Sequence, residues 1–89
     1  MRAVITVVGK DAVGILAKVS GVCAKLNANI IDVNQTVLVD IFTMVMLAEI
    51  DNMTGGVAEL SAELEEALKG QGLTSHVMHE DIFNAMHRI

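Results

Sequence analysis

The sequence predicts an α+β domain of the ferredoxin-like kind: βαββαβ order, one antiparallel four-stranded sheet, two helices on one face and a short C-terminal helix. Three observations carry this. The apolar residues switch between a strand-like run and a helical spacing in the order the fold requires. The second and third strand-like runs are joined by a turn near Asp40 that is too short for a crossover, so they form an antiparallel hairpin. The chain has 89 residues, enough for one domain spanning residues 1–89 and not for two.

Residues 3–8, Ala-Val-Ile-Thr-Val-Val, are rich in β-branched side chains and form the first strand, bounded by Gly9. Residues 9–14 form a loop. Ile15, Val19, Val22 and Leu26 then recur at spacings of four, three and four, one face of a helix. Asp11 is suited to cap that helix, since its carboxylate accepts backbone N–H groups of a first turn. Asn27 ends it, because asparagine tolerates the left-handed backbone of a helix exit. Residues 29–39 and 41–50 are the second and third strands. Thr54 is placed to cap a second helix whose buried stripe is Val57, Leu60, Leu64 and Leu68, with Glu59, Glu63 and Glu66 toward water. Gly70 and Gly72 end it. Residues 73–80 form the fourth strand, and residues 81–89 a short helix with Ile82, Phe83 and Met86 on one side.

The third strand is apolar on both faces. Phe42, Met44, Met46 and Ala48 point one way, and Thr43, Val45 and Leu47 the other. The first strand behaves alike, with Ala3, Ile5 and Val7 opposite Val4 and Val8. Two helices cover one face only, so the tail helix or a second subunit must cover the other. A large apolar side chain left in water forgoes about 1.5–3 kcal/mol, and several together mark an interface. A homodimer is the expected state. At this size a domain buries only about 60% of its unfolded surface, and its single cysteine, Cys23, forms no internal disulfide.

Composition excludes several functions. The net charge of −5 disfavours nucleic acid, which needs a basic face. Phe42 and Phe83 are the only aromatic residues, so base-stacking platforms are missing. No apolar run spans a membrane, and the start shows no signal-peptide cleavage site. A reducing, cytoplasmic setting is expected. His76 and His79, three apart on a strand, point to opposite faces and do not share a metal, and His87 lies in the tail. Cys23 fills core. No Ser-His-Asp or Cys-His grouping is readable, so no catalytic residue and no cofactor is assigned.

The stretch Gly9-Lys10-Asp11-Ala12-Val13-Gly14-Ile15-Leu16 joins a strand to a helix, whose N-terminus presents unpaired amides. Such a terminus attracts anions, and Gly14 lets the backbone approach a ligand. The spacing is neither a phosphate loop nor a dinucleotide fingerprint. A free amino acid carries a carboxylate for those amides and an ammonium for Asp11. Asn29, in Asn27-Ala28-Asn29-Ile30-Ile31-Asp32, both donates and accepts and serves either. Asp32 faces solvent, within reach of pairing with Lys10 or Arg2.

Lys10–Ala17, Val19-Ser20, Asn27–Asp32, Gln35-Thr36 and Phe42-Thr43-Met44 together resemble the ACT domain family, and more closely its small stand-alone members of the UPF0237 kind. The resemblance covers nearly the whole chain. It implies a non-catalytic regulatory module that binds an amino acid or similar small ligand at a subunit interface. Carried over by position, it assigns ligand contacts to Asp11, Val13, Gly14, Ile15 and Asn29. ACT domains usually regulate an attached enzyme; the regulated partner here is expected to be a separate enzyme or regulator. The alternative is a ligand-free interaction module that recruits such a partner. Acylphosphatases, copper chaperones and RNA-binding domains share the fold but need an arginine cradle, paired cysteines or aromatic strands. Arg2 and Arg88 stand at opposite ends, and the other two requirements are unmet.

Overall fold

Seven elements follow one another: β1 (Arg2–Lys10), α1 (Ile15–Lys25), β2 (Asn29–Leu38), β3 (Ile41–Glu49), α2 (Gly56–Ala67), β4 (Leu73–His79) and α3 (Glu80–Met86). The structure, a computed structural model, describes residues 1–10, 14–53 and 55–86. The strands form one sheet in the order β2-β3-β1-β4, antiparallel throughout. This is the βαββαβ arrangement with a terminal helix that the sequence predicts. Both expected helix caps, Asp11 and Thr54, lie outside the described residues. The N-cap positions themselves are held by Gly14 and Gly55, and no side chain among the described residues caps either helix.

The core forms where the helical stripes meet the inward face of the two central strands. Ala3, Ile5, Val7, Met44, Met46 and Ala48 are fully buried, against Val19, Cys23, Leu60 and Leu64. Strand alternation and helical spacing thus select the expected residues. Val22, Leu26 and Val57 are half-buried at the margin instead. Glu63, expected in water, is also half-buried, and its Oε1 accepts a hydrogen bond from Lys25 Nζ at 2.9 Å, tying α1 to α2.

Local chemistry sets the element ends. α1 exits through Asn27 at φ 62, where the Asn27 N–H donates to Ala24 O at 3.3 Å and the Ala28 N–H to Cys23 O at 2.8 Å. These two bonds satisfy carbonyls that a helix end leaves open. The first strand runs two residues beyond its expected end, through Gly9 and Lys10. Gly9 belongs in the strand because β4 approaches closely there. A Cβ at Gly9 would lie 2.7 Å from the Gly72 carbonyl oxygen and 2.6 Å from Leu73 Cδ2. β4 ends at His79, with Glu80 already opening α3.

The second sheet face is partly covered. Val4 points away from the core, yet only 4% of it is exposed, and α3 packs against β1 and β4. Val8, Val45 and Leu47 stay half-buried, while Leu38 and Ile41 at the β2–β3 hairpin end are exposed. No helix among the described residues is long and apolar enough to cross a membrane.

Candidate functional site

Gly14 and Ile15 stand where β1 hands the chain to α1. Gly14 adopts φ 85 and ψ 9, the left-handed region that glycine enters without penalty. Among the described residues, nothing lies within 4 Å of where its Cβ would be. Its carbonyl accepts the first helical bond, from Lys18 N–H at 3.0 Å. The amides that follow have no partner inside the helix, and no described side chain takes them. This end of α1 therefore offers backbone donors beside an open backbone. Ile15 is 2% exposed and roots the turn in the core, so its side chain is turned away from solvent. Asp11 and Val13 lie outside the described residues.

Asn29 stands elsewhere. α1 has eleven residues, about 16 Å at 1.5 Å per residue. Gly14 precedes the helix and Asn29 follows its exit, so the two halves of the expected site lie at opposite ends of α1. One chain does not bring them together. Asn29 is exposed and lines an open cavity of about 440 Å³ with Ser20, Ala24, Asn27, Ala28 and Ile30.

A second cleft, of about 500 Å³, lies at the far end of the sheet between Met1, Arg2, Ile31, Glu49, His79, Glu80 and Asp81. Arg2 and the Met1 ammonium there are both paired with carboxylates. Arg2 Nη2 lies 2.8 Å from Glu80 Oε1. The Met1 ammonium donates to Glu49 Oε1 at 3.0 Å and to Asp51 Oδ1 at 2.6 Å. Its hydrogen bond to Asp51, with that to Glu49, holds the ammonium above its ordinary pKa, and the ammonium in turn holds the Asp51 carboxyl below its own. Exposed pairs of this kind contribute little stability. Sequence reasoning missed the Arg2–Glu80 pair; the antiparallel pairing of β1 with β4, which sets Ala3 opposite His79, is the signal that would have found it. Asp32 is exposed as expected, and its Oδ1 accepts the Val33 N–H at 2.9 Å.

His76 pairs with Thr6 and His79 with Ala3, on opposite faces of the sheet. Among the described residues no group of three His, Cys, Asp or Glu could hold a metal ion; His87 lies outside them. Cys23 is fully buried, and desolvation pushes its thiol pKa up, the reverse of what a reactive cysteine needs.

A family model for the ACT domain matches residues 2–78. The chain is 48% identical over 89 residues to a UPF0237 protein of Clostridium perfringens, covering 100% of both. An ACT domain protein from Streptococcus pneumoniae superposes with a TM-score of 0.79 at 40% identity, over 98% of each chain. A putative glycine cleavage system transcriptional repressor superposes with a TM-score of 0.70 at 25% identity, over 89% of this chain and 47% of that one. With the βαββαβ order, the one-sided helix layer and the glycine-opened first helix all in place, the chain belongs to the ACT domain family, a family of regulatory small-ligand-binding domains.

Proposed function

We propose that the protein is a non-catalytic sensor that binds an amino acid or similar small zwitterion between two copies of the chain. The observation that carries the reading is the opening of α1. A helix start that no described side chain caps, behind a left-handed Gly14 with no described atom within 4 Å of where its Cβ would be, suits a carboxylate. Asp11 supplies the charge for the ammonium, and Val13 borders the ligand. Asn29 contributes from the other copy, because within one chain it stands at the far end of α1. The homodimer and the ligand are therefore one proposal: the site is incomplete in a single chain. The likeness to a transcriptional repressor is in keeping with a regulatory output delivered to a separate enzyme or regulator. The expected setting is the cytoplasm, where free amino acids are available.

The test is a thermal-shift screen with each of the twenty amino acids at millimolar concentration. A ligand at a hundredfold excess over Kd stabilises by about 2.7 kcal/mol. Asp11→Ala and Asn29→Ala should each abolish the shift while circular dichroism stays unchanged. A flat response across the whole screen rejects the ligand, and leaves the recruitment of a separate protein as the surviving function.

A further inference from the structure

The hairpin joining β2 to β3 turns in two residues, Val39 and Asp40, with Leu38 paired to Ile41 beneath them. Of the two, Val39 alone takes a positive φ, at 59. That is the pattern of a two-residue hairpin turn whose first central position belongs to glycine. Valine fills it poorly, because its branched Cβ crowds the left-handed backbone. Valine is also poorly matched to its surroundings, since 92% of Val39 is exposed. Val37 at 57%, Leu38 at 70% and Ile41 at 49% flank it. Four of the eight large apolar side chains exposed among the described residues thus stand within five consecutive positions. Asparagine, aspartate or glycine at position 39 would relieve the backbone, and the polar pair would suit water as well. Strain of this kind is kept where a contact uses it, and an exposed apolar patch is where such a contact forms.

The size and charge of the tip narrow the occupant. Side chains of this kind present roughly 100 Å² each when fully exposed, so these four offer about 300 Å². A stable contact buries about 800 Å² per partner, so two tips meeting end to end fall short. A cleft that encloses the tip also covers the flanks of the hairpin and makes up the difference. A lipid surface is disfavoured, because the chain carries a net charge of −5 and a carboxylate, Asp40, stands at the apex. Asp40 is exposed and pairs with no described side chain, so it is open to a cation from outside.

We infer that the hairpin tip, residues 37–41, is a knob that a separate protein receives in an apolar cleft, with a lysine or arginine at the rim for Asp40. This rests on the separate enzyme or regulator in the proposed function, and not on the ligand. It gives that partner a place to bind. The knob lies at the Gly14 end of the molecule: Lys10, four residues before Gly14 in the chain, is paired with Ile41. A protein seated on the tip therefore stands beside the opening of α1.

The test uses the buried Cys23 as a silent background. Val39→Cys places an exposed thiol on the tip, and the control Glu59→Cys places one near the start of α2, which follows the far end of β3. Each full chain is labelled with benzophenone maleimide and irradiated in lysate of the organism that makes it, and its adducts are identified by mass spectrometry. Val39→Cys should give a heterologous adduct that Glu59→Cys does not. Capture alone does not carry the inference, so the identified protein is purified and titrated with the unlabelled chain. Leu38→Thr and Val39→Asn should each bind it about tenfold or more weakly, with circular dichroism unchanged. Val39→Asn should also melt at or above the wild-type temperature, and a clearly lower melt overturns the strain on which the inference draws. Tip adducts only with a second copy of the chain, adducts shared with Glu59→Cys, or flotation of the chain with phosphatidylglycerol vesicles overturn a protein cleft as the occupant. A captured protein that binds both variants as tightly as wild type overturns the tip and spares the partner. The absence of any adduct overturns the tip and the separate partner together, and a positive ligand screen then leaves the sensor standing without them.

Discussion

Replacing Gly14 by alanine separates what the glycine does for the backbone from what it does for a ligand. At φ 85 an L-residue is held in the left-handed region, which costs about 1–2 kcal/mol. Alanine also restricts the unfolded chain, which returns about 0.4–1 kcal/mol. No described atom lies within 4 Å of the new Cβ, so the described residues add no steric cost. The net loss should be about 1 kcal/mol. For a domain of this size each kcal/mol lowers Tm by about 4–8 °C. Gly70 is a matched control. It has φ 80, equally no described atom near its Cβ position and a place after α2, remote in sequence from the loop before α1. Gly14→Ala and Gly70→Ala should therefore lose similar stability in thermal melts followed by circular dichroism. All melts must share one protein concentration, because association stabilises by mass action. Only Gly14→Ala should lose the amino-acid-induced rise in Tm. A Gly14→Ala melt indistinguishable from wild type, or lower by more than about 3 kcal/mol, refutes the backbone argument. An unchanged ligand response in Gly14→Ala refutes the site.

Other consequences are open to direct measurement. Leu64 is fully buried in the helix layer, so Leu64→Ala should cost about 2–5 kcal/mol in urea unfolding; the half-buried Val57→Ala should cost under about 1.5 kcal/mol, and equal losses would contradict the packing described. The Met1–Asp51 pair predicts a pH window. Asp51 is held below its ordinary value of 3.8, so its contribution is present above pH 3.8 and is lost as pH falls through the lowered value. The ammonium is held above 8.0, so its contribution is present below pH 8.0 and fades as pH rises through the raised value. Asp51→Asn should lower Tm slightly between these limits and converge with wild type outside them; a constant offset at every pH would count against the pair. Cys23 is buried with its thiol pKa pushed up, so iodoacetamide should label it only through opening of the core, and faster in Leu64→Ala. Labelling of the wild type at the rate of a free thiol would show that the α1 stripe is not packed as described.

The layers of this fold were legible because one hydrophobic pattern fixes each of them. Phe42, Met44, Met46 and Ala48 alternate with Thr43, Val45 and Leu47, and that alternation sorts the two faces before any contact is known. Asn27 announces its left-handed exit by residue type alone. Features set by approach between distant segments were not legible. Gly9 reads as a strand terminator, and only the Gly72 carbonyl at its back reveals why the strand continues. Arg2 and Glu80 meet through a strand pairing that periodicity does not encode. Val39 occupies a turn position where residue preference expects glycine, asparagine or aspartate. The candidate site divides the same way. Gly14 is readable as an opening in the backbone, and Asn29 as a polar group at a strand start. That a helix of eleven residues holds them apart is also implicit in the sequence, since the stripe from Ile15 onward runs the whole way between them. Periodicity assigns a residue to a face and to an end, but carries no information on which copy of the chain it faces. Gly14 and Asn29 can serve one ligand only across an interface, so a site legible as two halves is also a statement about assembly.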